Sequence, residues 1–376
     1  MKIVVNAQCL IKNKLEGLGW FSYETLKRIT VQHPEHEFVF VFDRKWHYDF
    51  IFSKNVKPVI LFPPSRHPFL WYLRFNLLFP SLLRKEKADL FLSTDGWMPL
   101  HTNIKTLNVI HDLNFEHYPS DLPFWYRKYY QTYFKRFAMK ATRLATVSEY
   151  SKLDLVNKYH IPAEKIDVVY NGCNENFKVV DDELQVKTRE KYSDGKPYFV
   201  FVGSLHPRKN LINLFKAFDL FKKNTAGEFK LLIVGEKRWW TNEINNTYEN
   251  LKFKTDVVFT GRMNSEQINL IIGSAQAMTY VSNFEGFGIP ILEAFHCETP
   301  LITSNITSMP EIAGDAALLI NPASPEFIAD AMRQIATNEK LRQELIAKGR
   351  IRRELFSWQK SADLLWKCVE KAMDGE

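Results

Sequence analysis

The chain has 376 residues, 45% of them hydrophobic, and a net charge of +7; it is longer than the roughly 250–300 residues at which one hydrophobic core stops growing, so two domains are expected. It contains no uncharged apolar run long enough to span a bilayer, and Met1-Lys2 leads directly into Ile3-Val4-Val5, the pattern of a first strand and not of a signal peptide. Cys9, Cys173, Cys297 and Cys368 lie far apart without a CxxC pair, as expected of reduced thiols in a soluble, cytoplasmic protein.

The charge is uneven. Residues 1–175 hold 24 Lys+Arg against 17 Asp+Glu, and the remainder holds 26 of each. A basic first half suits nucleic acid, an anionic lipid surface or a phosphorylated substrate, and ordinary solubility charge is the competing reading.

In chain order, strands are predicted at 2–6, 37–42, 57–61, 89–93, 106–110, 143–147 and 166–169, with helices at 18–32, 122–140 and 149–158 among them. Strands then follow at 198–202, 229–234, 256–260, 277–281, 300–303 and 317–320, with helices at 210–223, 265–273, 290–297, 325–336 and 339–355. Such alternation builds parallel α/β sheets, here twice over. The polar stretch 176–196 is expected as a linker between domains 1–175 and 197–355. Ligands bind outside the carboxyl ends of parallel strands, so two facing sheets make an interdomain cleft.

Several segments carry chemistry or invite it. Arg66-His67-Pro68-Phe69-Leu70-Trp71-Tyr72-Leu73-Arg74 opens a predicted helix over 66–84 that suits either a membrane surface or a core helix with snorkelling arginines. The run Phe124 to Phe137 interleaves bases with aromatics. No nucleic-acid module surrounds it, so a helix with aromatics packed inward is expected. After the strand at 198–202 comes Gly203-Ser204-Leu205-His206-Pro207-Arg208-Lys209-Asn210, with Asn210 placed to cap a helix and two adjacent cations suited to a diphosphate. Solvated surface is the alternative for an isolated Arg-Lys pair. After the strand at 277–281 comes Ser282-Asn283-Phe284-Glu285-Gly286-Phe287-Gly288-Ile289-Pro290-Ile291-Leu292-Glu293. Its glycines admit a ligand close to the backbone, Pro290 suits a first helical turn, and Glu285 with Glu293 in that turn suits vicinal diols. A Gly turn before a helix whose dipole is complemented by acids competes with this.

Together these segments, with Thr303-Ser304-Asn305-Ile306-Thr307-Ser308-Met309-Pro310-Glu311-Ile312-Ala313-Gly314, resemble glycosyltransferase family four, the retaining GT-B enzymes built of two facing Rossmann-like domains. The resemblance covers nearly the whole chain. It implies that Arg208 and Lys209 bind the donor diphosphate, that Glu285 with Gly286, Phe287 and Gly288 touches the donor sugar, that Glu293 binds the ribose, and that Gly203 is among the donor-binding residues. It also implies that Arg262, in Thr260-Gly261-Arg262-Met263, lies at the nucleobase. Gly17 and Gly19 resemble the family's N-terminal glycine loop. His111, in Ile110-His111-Asp112-Leu113, resembles the histidine that approaches the transferred sugar, and Asp112 either orients that imidazole or caps the next turn. The segment 356–376 resembles the helix that crosses back to the N-terminal domain.

The resulting expectation is hexosyl transfer from a nucleotide-diphosphate sugar to a glycan or lipid-linked acceptor in cell-surface polysaccharide biosynthesis. Peripheral contact with the cytoplasmic membrane face is included, and no nucleic-acid partner is. No metal-ligand cluster is read from the spacing, so neither metal nor cofactor is expected. An epimerase of the same fold and a basic nucleic-acid-binding protein are the alternatives.

Overall fold

Runs such as Glu37-Phe38-Val39-Phe40-Val41-Phe42 and Tyr198-Phe199-Val200-Phe201-Val202 are buried along almost their whole length, as strands covered on both faces must be. The computed structural model describes residues 1–64, 67–225 and 227–375. It forms two units, Met1–Gly172 with Ser357–Glu376, and Cys173–Phe356.

The first unit holds β1 (Lys2–Asn6), β2 (Glu37–Phe42), β3 (Val56–Ile60), β4 (Leu90–Ser93), β5 (Lys105–Val109), β6 (Arg143–Thr146) and β7 (Ile166–Val168). They form one sheet in the order β3-β2-β1-β4-β5-β6-β7, every pair parallel. The second unit holds β8 (Tyr198–Val202), β9 (Lys230–Val234), β10 (Val257–Gly261), β11 (Ala277–Tyr280), β12 (Leu301–Ser304) and β13 (Leu318–Ile320), in the order β10-β9-β8-β11-β12-β13, again all parallel. Each expected strand is present within two residues of its bounds. The strand order reverses between β1 and β4 and between β8 and β11, the switch points at which such sheets bind ligands.

Residues 176–196 are not a linker. They carry the helix Asp182–Ser193, capped by Asp181, which accepts from Leu184 N at 2.9 Å. Arg189 Nε donates to Ser274 O at 2.9 Å, which fixes this helix to the second unit. The final helix, Trp358–Asp374, belongs to the first unit and packs against the helix Gly17–Gln32. Gly172 permits its start: a Cβ there would lie 2.4 Å from Trp358 N.

The segment 66–84 is divided. Arg66 lies outside the described residues. The helix Pro68–Leu73, a π-helical turn Arg74–Leu78 and the helix Phe79–Glu86 bury Trp71, Phe75, Phe79 and Leu83 and leave Phe69, Tyr72 and Leu77 exposed. Arg74 does not snorkel. It is wholly buried, donates to Leu61 O, and sits 5.1 Å from the Phe79 ring, with burial pulling its guanidinium down to about 10. The helix Phe124–Lys140 turns Tyr129, Phe134 and Phe137 into the core, as expected of an inward aromatic face. Among the described residues no helix is long and apolar enough to cross a membrane.

Candidate functional site

In the second unit the loops after β8 and β11 lie on either side of the switch point. The backbone joins them where Asn283 N donates to Arg208 O at 2.8 Å. Arg208 and Lys209 occupy a short 3-10 turn, Pro207–Lys209, stopped by Asn210 at φ 62°. Asn210 stands at the N-cap position of the helix Leu211–Asn224, but its side chain does not cap that helix. Its amide instead donates to Val281 O at 3.0 Å and Pro322 O at 2.7 Å, stitching both loops to the end of β13.

Glu285 closes the arrangement. Its carboxylate accepts from Arg208 Nη1 at 2.8 Å and from Lys209 Nζ at 2.6 Å, and Arg208 Nη1 also donates to Phe284 O at 3.0 Å. Lys209 is 6% exposed and also donates to Tyr280 OH at 2.8 Å. Burial alone would raise the Glu285 carboxyl, but the neighbouring Arg208 and Lys209 charges outweigh it and hold it down at about 2. The network therefore stays ionised at neutral pH. A carboxylate bound between two cations is a weak nucleophile, whereas two cations held in register by a buried anion form a prepared seat for a diphosphate.

The loop after β11 is braced from below. Ser308 Oγ contacts Glu285 O and Phe287 O, each at 3.0 Å, and Ser304 Oγ donates to Ser282 O at 2.6 Å. Gly288 at φ 97° turns the chain into the helix Ile289–His296, with Pro290 in its first turn. Glu293, expected in the first turn, is the fifth residue of that helix and lies just past that turn. Its carboxylate has no hydrogen-bond partner among the described residues, and burial raises it to about 7, only partly offset by Lys209.

The loop after β9 approaches the same place. Gly203 N donates to Val234 O and Gly235 N to Gly261 O, each at 3.0 Å, and a Cβ on Gly235 would lie 2.0 Å from Gly203 O. Arg262, just after β10, is exposed and has no ion pair or hydrogen bond among the described residues. Gly235, Tyr280 and Ser308 do not stand out in the sequence. The glycine after an apolar strand is the one available signal, since Tyr280 and Ser308 act through tertiary contacts.

The first unit holds the remaining candidates. Gly17 and Gly19 do not form a loop ahead of a helix. They are the first turn of Gly17–Gln32, where Glu16 provides no side-chain cap. His111, after β5, donates from Nε2 to Thr94 O at 2.9 Å and meets the Phe21 ring edge-on at 4.9 Å. Burial, outweighing that hydrogen bond, pulls its imidazole down to about 4, so it is neutral at pH 7. Asp112 accepts from Asn114 N at 3.0 Å, an Asx turn ahead of the short helix Asn114–His117, whose N-cap is Leu113. At the switch point itself stands a residue that no sequence motif marks. Asp95 is buried, and it accepts from Asn6 Nδ2 and Gln8 Nε2 at 2.8 Å each and from Ser93 Oγ at 2.9 Å.

Both units are matched by family models. Residues 183–352 fit the group 1 glycosyl transferases, and residues 31–177 fit glycosyltransferase family 4. The chain belongs to this family of glycosyltransferases. This glycosyltransferase is 26% identical to O-antigen chain mannosyltransferase B of Escherichia coli over 96% of its own length and 97% of the relative's. It is 27% identical to O-antigen chain mannosyltransferase RfbU of Salmonella typhimurium, covering 89% and 90%. Its fold matches the structure of sucrose-phosphate synthase from Thermosynechococcus elongatus with a TM-score of 0.78 at 17% identity over 100% of both chains, a GT-B architecture.

Against the expected absence of metal ligands, His33, Glu35 and His36 bring one donor atom each to within 4.8 Å of the others.

Proposed function

We propose that this glycosyltransferase moves a mannosyl unit from a nucleotide-diphosphate sugar onto a growing cell-surface polysaccharide or its lipid-linked precursor, with retention of configuration and without a metal. The observation carrying this reading is the Arg208–Glu285–Lys209 network at the switch point of the second unit. Its two cations stabilise the charge that grows on the leaving diphosphate as the glycosidic bond breaks. Donor sugar hydroxyls draw on Glu285 and the Gly286–Gly288 backbone, and Glu293 takes the ribose diol. Because both oxygens of Glu285 are held by cations, the reading assigns no enzyme nucleophile. The leaving diphosphate oxygen takes the acceptor hydroxyl's proton as the new bond forms on the same face. The mannosyl and polysaccharide elements rest on the two O-antigen relatives.

The lipid-linked acceptor is favoured by the helix Phe124–Lys140. Lys128, Lys135, Arg136 and Lys140 are exposed there beside Trp125 and Met139, and none has an acidic partner among the described residues. Such a stripe suits an anionic membrane surface.

The test is a thermal-shift panel of GDP-, UDP- and ADP-linked mannose and glucose, followed by transfer assays. A donor at 100 times its Kd should stabilise the chain by about 2.7 kcal/mol. Stabilisation by a mannose donor with transfer only when a glycan acceptor is present is the expected result. Conversion of the nucleotide sugar without any acceptor would point to an epimerase instead.

A further inference from the structure

We propose that the turn His33-Pro34-Glu35-His36 binds one divalent transition-metal ion of the zinc class through His33 Nδ1, Glu35 Oε1 and His36 Nε2. The Glu35 oxygen lies 3.6 Å from His33 Nδ1 and 3.2 Å from His36 Nε2. A tetrahedral zinc ion with bonds of about 2.0–2.1 Å sets its ligand atoms roughly 3.3 Å apart, between these two values. Two imidazoles and one carboxylate suit zinc, cobalt or nickel, whereas magnesium and calcium take oxygen ligands.

The turn and its two imidazoles are held before any ion arrives. His33 caps the helix Gly17–Gln32, and His36 leads into β2. The side-chain amide of Asn55 donates to Thr30 O, His33 O and His36 O at 3.1, 3.0 and 2.9 Å, which pins the backbone of the turn. Trp366, on the final helix, stacks on the His33 ring at 3.6 Å and lies 5.2 Å from the His36 ring at a shallow angle. An ion here would lock the turn under Trp366 and thereby tie the final helix to the sheet.

The turn precedes β2, while His111 follows β5. Because all strands between them run parallel, the start of β2 and the end of β5 lie at opposite ends of the strands. The proposed ion is therefore a structural clip and does not depend on the glycosyl-transfer reading.

The test titrates the full chain, freed of metal by chelator dialysis, with Zn2+ by calorimetry and with Co2+ by visible absorption. One ion per chain is expected, with tetrahedral Co2+ bands and a melting temperature that rises with Zn2+. Glu35→Ala, at an exposed side chain that leaves the Trp366 stack untouched, should weaken binding more than about tenfold. The pair His33→Ala with His36→Ala should abolish it. No binding by the wild type, or equal affinity in wild type and Glu35→Ala, would overturn the assignment even if the histidine variants fold poorly.

Discussion

The two units share a topology and fill its switch point in opposite ways. In the second, three charged side chains from two loops meet there, Arg208 and Lys209 around Glu285, with Lys209 and Glu285 both buried. In the first, the corresponding place holds a neutral imidazole, His111, and one buried carboxylate, Asp95, wrapped by amide and hydroxyl donors. The surplus positive charge of the first unit stands elsewhere, partly on the outward face of Phe124–Lys140. Fixed charge placed where a ligand's charge changes contributes to chemistry, whereas charge on a helix face contributes to docking. On the proposed reading, the second unit binds and activates a polyanion, and the first receives a neutral partner in a site without net positive charge.

The largest effect that would test this contrast is expected from Lys209→Ala. Removing one of two cations facing the leaving group should lower turnover about 10²–10³-fold, read as nucleoside diphosphate released in the presence of acceptor. Glu285 keeps its bond to Arg208, so the variant should still fold, with a lower melting temperature. Full activity in a folded Lys209→Ala protein would remove the basis for calling the second unit the activating half.

Glu293→Gln sharpens the same contrast through stability. The Glu293 carboxyl is raised from 4.5 to about 7 in the folded chain. A raised acid favours the folded state most below its unfolded value, so stability should fall as pH climbs from about 4.5 to 7 and stay lower beyond. The glutamine variant lacks this loss. It should exceed the wild type at pH 8 by an amount on the order of 1–3 kcal/mol, and match it at pH 4, in denaturant titrations. Its donor KM should rise if the carboxylate receives the ribose. Equal stability at both pH values would show that Glu293 is not held under strain for a ligand.

The contrast also explains which parts were legible in the sequence. Strands such as β2 and β8 are continuous apolar runs, so their places follow from local pattern. The charged network was legible because its members sit in two contiguous segments, Pro207-Arg208-Lys209 and Glu285 to Glu293, each just after a strand. Tyr280, Ser308 and Asp95 were not, because each gains its role only when distant segments meet. Asn210 had the residue type of a cap, but two carbonyls from other loops compete for its amide and win. Residues 176–196 lacked an apolar stripe and so resembled a linker, although Asp181 and its capped helix were present in the polar pattern. The cluster His33, Glu35 and His36 was not legible because its spacing converges only in a tight turn.

The smallest effect belongs to the neutral site of the first unit. His111 carries its proton on Nε2, bound to Thr94 O, and Nδ1 has no partner among the described residues. With burial holding the imidazole at about 4, it does not titrate near neutrality and offers a single lone pair to a hydroxyl. His111→Ala should therefore cost one neutral hydrogen bond, about 0.5–1.5 kcal/mol or at most roughly tenfold in turnover, with the pH–rate profile between pH 6 and 8 unchanged. The stability sign is opposite to that of Glu293. A depressed histidine favours the folded state above its ordinary 6.5, and that contribution is lost as pH falls from there through about 4, so the variant should be less sensitive to acid across this window. If His111→Ala instead removed a limb of the rate profile near pH 6–7, the imidazole would be titrating in the active enzyme, and the first unit would share in the charge chemistry that the contrast reserves for the second.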